Sequence, residues 1–168
     1  MSIEPMEADQ VDQAIQTIQS IHIPDVLPHR FPFLLVDGVT GYETSKWAKG
    51  YKLVTWNEWF ITGPEPHMPS TLVLEAIAQL AAFATIDEKG ISFLTTLKGV
   101  EVHSQAKPGD RLDLIFEVTK RRRGYVLGRG RASVGDRLVL EAEEIVSFDQ
   151  SRTDAKRGER RQEQTAAE

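Results

Sequence analysis

The sequence predicts an α+β domain in which one antiparallel sheet wraps a single buried helix. Three observations carry that expectation. Thr71 to Ala84 is apolar except at Thr71, Glu75 and Gln79, with no glycine or proline inside it. A helix apolar on nearly every face is a buried helix, because no side of it is suited to water. After Gly90, four stretches read as strands: Ile91 to His103, Arg111 to Arg122, Tyr125 to Val134 and Arg137 to Phe148. Their turns are marked by Pro108-Gly109-Asp110, Gly124 and Gly135-Asp136. Within the second strand, Leu112, Leu114, Phe116 and Val118 alternate with Asp113, Ile115, Glu117 and Thr119, mostly the pattern of a half-buried antiparallel strand.

The remaining elements follow in chain order. Residues 6 to 21 are polar and Gln-rich, with Val11, Ile15 and Ile18 at helical spacing, which predicts an amphipathic helix docked on the body. Ile23 to Pro32 holds three prolines; proline restricts its own backbone and that of its predecessor, so this is a shaped loop. Phe33 to Val39 and Lys46 to Thr55 read as two further strands. Asn57 to Ser70, carrying Gly63, Pro64, Pro66 and Pro69, reads as a second structured loop. Ser70 is placed as the N-cap of the buried helix, and Gly90 as its terminator. Ser151 to Glu168 has five basic and four acidic residues and no aliphatic core-former, the composition of a disordered or loosely helical tail. The expected division is an N-terminal helix over 1–22, a single domain over 23–148 and a charged flexible tail over 149–168.

Composition excludes more than it assigns. The 168 residues include no cysteine, so a disulfide scaffold, a thiolate zinc site and a cysteine nucleophile are out. The formal net charge is −5, which does not suggest a general nucleic-acid binder. No apolar run approaches the ~20 residues of a membrane span. Residues 1–20 carry four acids and no Lys or Arg, the wrong charge for a secretory signal, so a cytoplasmic protein is expected. There is no Gly-rich phosphate loop, no nucleophile elbow and no clustered set of metal ligands.

The chemistry-bearing feature is the carboxylate in the apolar helix. Glu75 and Gln79 are four apart and share a helix face. An apolar surround disfavours the charged form of a carboxylate, and a readily protonated Glu suits general acid work. An ion pair with a buried Arg, or exposure through a gap, would explain Glu75 equally well. Gln79 alone reads as structural, bonded to backbone or to Glu75.

Leu27-Pro28-His29-Arg30-Phe31-Pro32-Phe33-Leu34-Leu35-Val36-Asp37 resembles the opening motif of the β-hydroxyacyl-acyl-carrier-protein dehydratases of the FabZ type. Leu74-Glu75-Ala76-Ile77-Ala78-Gln79 resembles the family's central-helix motif. Asn57-Glu58 with Phe60 and Thr62-Gly63 looks like the lead-in to its active-site loop. Pro108-Gly109-Asp110, Lys120 to Gly124 and Ala142-Glu143 match the later hairpins in order. The resemblance spans about Ile23 to Phe148. It implies the hotdog fold, a sheet wrapped round a central helix, paired into dimers with a continuous sheet. It also implies dehydration of a 3-hydroxyacyl thioester to the trans-2-enoyl thioester, in fatty-acid or polyketide-type metabolism, with no metal and no organic cofactor. A His and a Glu from opposite subunits flank the reacting carbons, the Glu at the position of Glu75. Backbone N–H groups near the helix start hold the thioester oxygen.

Two departures qualify the expectation. The family's catalytic His opens a loop before the central helix; here the loop reads Thr62-Gly63-Pro64-Glu65-Pro66-His67-Met68-Pro69-Ser70, three residues shorter, with Pro64 after Thr62-Gly63. Proline cannot act as a base. Either His67, eight residues before Glu75, takes the role, or the chain binds acyl thioesters without dehydrating them. Secondly, the strand before Pro108, where the family carries paired basic residues near the carrier-protein entrance, reads Glu101-Val102-His103-Ser104-Gln105-Ala106-Lys107. Recognition then shifts to Lys120, Arg121, Arg122 and Arg123, or the thioester belongs to coenzyme A. A solvated hairpin explains that basic run as well.

The resulting expectation is a dehydratase with Glu75 as acid and His67 as base. Phe60, Met68, Ser70, Leu72 and Gln79 line the substrate site. His29 is set aside as structural. The alternatives are a catalytically degenerate acyl-thioester-binding subunit and a thioesterase with Glu75 acting on water. The expected partners are an acyl thioester on acyl carrier protein or coenzyme A, and a second copy of the chain, as a homodimer, a trimer of dimers or a heterodimer with a paralogue. No nucleic acid and no membrane are expected.

Overall fold

A computed structural model describes residues 22–85, 90–122 and 124–151. Their elements are α1 (Ile23–Val26), β1 (Gly38–Glu43), β2 (Trp47–Leu53), α2 (Ser70–Thr85), β3 (Gly90–Val102), β4 (Arg111–Arg122), β5 (Tyr125–Val134) and β6 (Arg137–Ser151). The six strands form one sheet in the order β1-β2-β4-β5-β6-β3, and every neighbouring pair is antiparallel. Helix α2 lies across it, mainly on β4 and β2. This is the hotdog arrangement of sheet and central helix that the sequence predicts.

The alternation in β4 explains the packing. Leu112, Leu114 and Phe116 are buried, and they meet Val73, Ala76, Ile77, Leu80, Phe83 and Ala84 of α2 in one core. Small residues let the helix sit close to the sheet. A Cβ added at Gly130 of β5 would stand 2.5 Å from Ile77 Cγ2 and 2.8 Å from Ile145 Cδ1, so only glycine leaves room there.

The helix ends are held from outside. Pro69 O accepts bonds from Leu72 N (2.9 Å) and Val73 N (3.1 Å), so Ser70 is the first helical residue and Pro69 occupies the cap position expected for Ser70. At the other end, Ser45 N donates to Ala84 O (2.6 Å) and Arg121 Nη2 to Thr85 O (3.4 Å).

Four expectations change. The first strand begins at Gly38 instead of Phe33, because Phe33 and Leu35 spend backbone groups on a helix side chain and not on a neighbouring strand. The second is shorter, Trp47–Leu53. The last strand, β6, runs to Ser151, past the point where the tail was expected to begin. The N-terminal helix over 6–21 and the tail from 152 onward lie outside the described residues, as do residues 86–89, and Gly90, expected as the helix terminator, is the first residue of β3.

Two surfaces are left uncovered within one chain. Thr71, Leu74, Glu75, Ala78 and Ala82 form a stripe on α2 that the sheet does not bury. Strand β3 is one of the two sheet edges, and Phe93, Leu94, Leu97, Val100 and Val102 along it are exposed. Among the described residues, no helix is long and apolar enough to cross a membrane.

Candidate active site

Gln79 organises the site from beneath. Its side chain is fully buried. Its Oε1 accepts from Leu35 N (2.9 Å), and its Nε2 donates to Phe33 O (2.8 Å) and to Glu75 Oε1 (2.9 Å). One backbone donor and one backbone acceptor fix which end of the amide is oxygen, so its nitrogen must face Glu75. Both N–H donors are then spent, which gives Gln79 a positioning place in the site and leaves it no donor for a substrate, contrary to the sequence expectation.

This bolt draws the proline-shaped loop onto the helix. Arg30 locks the loop from the other side, donating through Nη1 to Leu27 O (2.8 Å) and His29 O (2.8 Å) and through Nη2 to Pro24 O (3.2 Å). The consequence is a histidine at the carboxylate: His29 Nε2 lies 3.6 Å from Glu75 Oε1 within the same chain. The two side chains retain 33% and 25% of their accessible surface, enough for a small reacting group to reach them. His29 Nδ1 is buried and has no hydrogen-bond partner among the described residues. The sequence sets this residue aside as structural; the fold makes it the nearest described histidine to Glu75.

The shortened loop packs differently. Met68 N donates to Ala106 O (2.8 Å), and Met68 and Phe60 are core residues. Ser70 and Leu72 are half-buried at the helix start. His67 Nδ1 lies 2.7 Å from Glu65 O, on its own loop, and among the described residues no hydrogen bond or ion pair joins His67 to Glu75 of the same chain.

A further cluster escaped the sequence reading. Lys52 on β2 is buried, and its Nζ reaches Asp37 Oδ2 (2.9 Å) and Glu58 Oε1 (2.5 Å). Asp37 Oδ2 also accepts from Leu53 N (2.6 Å). The ammonium thereby ties the end of the Leu27–Asp37 loop to the start of the active-site loop. The signal was an unpaired Lys in a strand flanked by residues of two loop motifs, which becomes readable only once the loops are known to meet.

The strand before Pro108 carries a trio on one face. Glu101 and Glu141 are cross-strand partners, and His103 Nε2 lies 3.8 Å and 3.0 Å from their carboxylates. Their ligand-type atoms all fall within 4.8 Å of one another, but Glu101 and His103 are exposed. His103 Nε2 is within hydrogen-bond distance of Glu141 Oε1, so the trio already has an internal partner. In the basic run, Arg121 spends its guanidinium on Ser45 Oγ (3.1 Å) and Thr85 O; Arg123 lies outside the described residues.

Comparison with known proteins accords with this architecture. Residues 27–143 match the model of the FabA-like domain. Over 118 residues the chain is 54% identical to the uncharacterized protein YcsD of Bacillus subtilis, covering 70% of this chain and 91% of that protein. It is 43% identical over 128 residues to the 3-hydroxyacyl-[acyl-carrier-protein] dehydratase FabZ of Bacillus velezensis, covering 72% and 91%. Among solved structures, the dehydratase heterocomplex ApeI:P from Xenorhabdus doucetiae superposes with a TM-score of 0.69 at 15% identity, covering 82% of this chain and 96% of that one. At that identity the likeness speaks for the fold alone. The sequence relatives and the domain match carry the family: the chain belongs to the FabA-like dehydratases of the FabZ type.

Proposed function

We propose that the chain is a 3-hydroxyacyl-thioester dehydratase. The observation that carries this reading is the Glu75 carboxyl group, held through one oxygen by buried Gln79 beside the start of α2. Among the described residues its second oxygen makes no hydrogen bond, which leaves Oε2 for a substrate. In the reaction a base removes the C2 proton, the C2–H electron pair forms the C2–C3 double bond, and the C3–O bond breaks. Glu75 supplies the proton that lets the hydroxyl depart as water. Charge developing on the thioester oxygen is favoured near the first turn of α2, where N–H groups and the helix dipole point outward. Ser70 and Leu72 stand in that first turn, and Phe60 and Met68 belong to the core against which Leu72 packs. His67, the base expected from sequence, would have to act on Glu75 of a partner subunit.

A homodimer through β3 belongs to this reading. It would cover the apolar edge and the open stripe of α2 that carries Glu75. The acyl group would ride on acyl carrier protein or coenzyme A, in fatty-acid-type synthesis in the cytoplasm; the 3-hydroxyacyl-[acyl-carrier-protein] named for the Bacillus velezensis relative favours the carrier protein.

The test is hydration of a trans-2-enoyl thioester, offered on acyl carrier protein and on coenzyme A, followed by loss of the enoyl absorbance. Wild type should hydrate it, and Glu75→Gln should lose at least about 100-fold in kcat. Activity surviving in Glu75→Gln would refute the site. Release of free thiol without hydration would turn the reading to a thioesterase, and tight binding without either would leave an acyl-thioester-binding subunit.

A further inference from the structure

We infer that His29, and not a histidine of the active-site loop, is the base that takes the C2 proton, so that acid and base come from one chain. The inference rests on the dehydratase reading above and names the residue that reading lacks. Three features converge on His29. First, Nε2 stands 3.6 Å from Glu75 Oε1. That is longer than an ordinary hydrogen bond, so neither group is consumed by the other, yet one small reacting group can touch both. Secondly, the ring is fixed at its backbone: Arg30 holds His29 O, and Gln79 holds Phe33 O and Leu35 N on the far side of the loop. The same Gln79 amide holds Glu75, so one buried side chain sets the spacing of the pair. Thirdly, among the described residues His29 Nδ1 is buried without a hydrogen-bond partner. A histidine kept for structure satisfies such a nitrogen, and an unsatisfied buried polar atom calls for another explanation. With Nδ1 sealed off, proton exchange runs through Nε2, the atom that faces Glu75. His67, by contrast, has its ring nitrogen on the carbonyl of Glu65, two residues away.

The step balances within the pair. The step requires a neutral ring with its proton on Nδ1 and the Nε2 lone pair toward the site, and a proton on Glu75. Nε2 takes the C2 proton, the double bond forms, and the departing hydroxyl leaves as water with the proton of Glu75. The pair is then an imidazolium facing a carboxylate. Passing one proton from Nε2 to Glu75 Oε1 restores both groups without a proton from solvent.

The experiment compares the full-length wild type with Glu75→Gln, His29→Gln and His67→Gln, reading enoyl-thioester hydration and deuterium entry at C2. His29→Gln should lose roughly 100-fold or more in kcat, with KM little changed. Added imidazole should return turnover to His29→Ala, which a purely structural role would not do. Should His29→Gln fail to fold, His29→Asn, with an amide nitrogen near the Nδ1 position, takes its place. Full activity in His29→Gln alongside a dead Glu75→Gln overturns the inference and leaves the dehydratase reading standing; loss in His67→Gln would then name the base. An active Glu75→Gln, or a wild type inert toward both thioesters, overturns the dehydratase reading and His29 with it.

Discussion

Gln79 joins the opening loop to the helix carboxylate, because one amide satisfies two backbone groups and a carboxylate oxygen. Replacing it by leucine keeps the volume but leaves Leu35 N, Phe33 O and Glu75 Oε1 without partners in a buried setting. Each stranded group costs about 1–3 kcal/mol, less where the loop can relax toward water. We expect Gln79→Leu to lower unfolding free energy by roughly 3 kcal/mol in urea titrations, and to abolish hydration while the protein is still folded. A stability equal to wild type would mean that the loop is held by something other than this amide. At this scale the sequence was only half legible. The spacing of Glu75 and Gln79 announces their shared face, and a structural bond to backbone or Glu75 was the right reading of Gln79 taken alone. It could not announce which backbone groups forty-odd positions away would be the partners. The pairing of His29 with Glu75 was hidden for the same reason, since it depends on a loop pulled in by Arg30 and Gln79 and on no periodicity of its own.

Elements were read more reliably where local pattern and tertiary environment agree. Strands β4 and β5 stand where alternation and turn residues place them, and Gly109, Gly124 and Gly135 have the positive φ values that the turns require. Strand β1 was misjudged because Phe33 to Val36 looks like a strand by composition, while its backbone bonds go to a side chain. Lys52 was not singled out in the sequence, and its burial between Asp37 and Glu58 depends on two loops meeting over β2. The helix–sheet contact provides a sharper check. Gly130 faces Ile77 and Ile145 so closely that an alanine methyl must displace them. Gly130→Ala should therefore cost about 1–3 kcal/mol as an overpacked site. Ile77→Ala removes Cγ2, the atom nearest that methyl, and should itself cost about 2–5 kcal/mol. The double variant should be more stable than the sum of the two singles predicts. Simple additivity in chemical denaturation would show that the helix shifts as a body and that the glycine does not set its distance from the sheet.

For the whole molecule, β3 is the feature a single chain does not account for. It is thirteen residues long, pairs with β6 on one side only, and carries Phe93, Leu94, Leu97, Val100 and Val102 exposed. Long apolar edge strands left open invite uncontrolled pairing, and proteins blunt them with charge, proline, bulges or cover. Here the register shifts once, between Leu94 and Thr96, and Lys98 pairs with Glu144 on the neighbouring strand; neither removes the apolar run. A second copy pairing along β3 would extend the sheet across the junction and bring its own surface over Thr71, Leu74, Ala78 and Ala82 of α2. It would also narrow the approach to Glu75, which lies in that stripe, so assembly and catalysis would be lost together. Leu97→Lys tests the connection, because it puts a charge on the exposed apolar edge of each copy, which pairing along β3 would have to desolvate. Wild type should sediment as a dimer or a multiple of it, and Leu97→Lys should shift toward monomer. Its enoyl-thioester hydration should fall in parallel and recover as protein concentration is raised. A monomeric Leu97→Lys with full hydration at every concentration would make each chain's His29–Glu75 site self-sufficient, whereas wild type sedimenting as a monomer would remove β3 as the assembly edge.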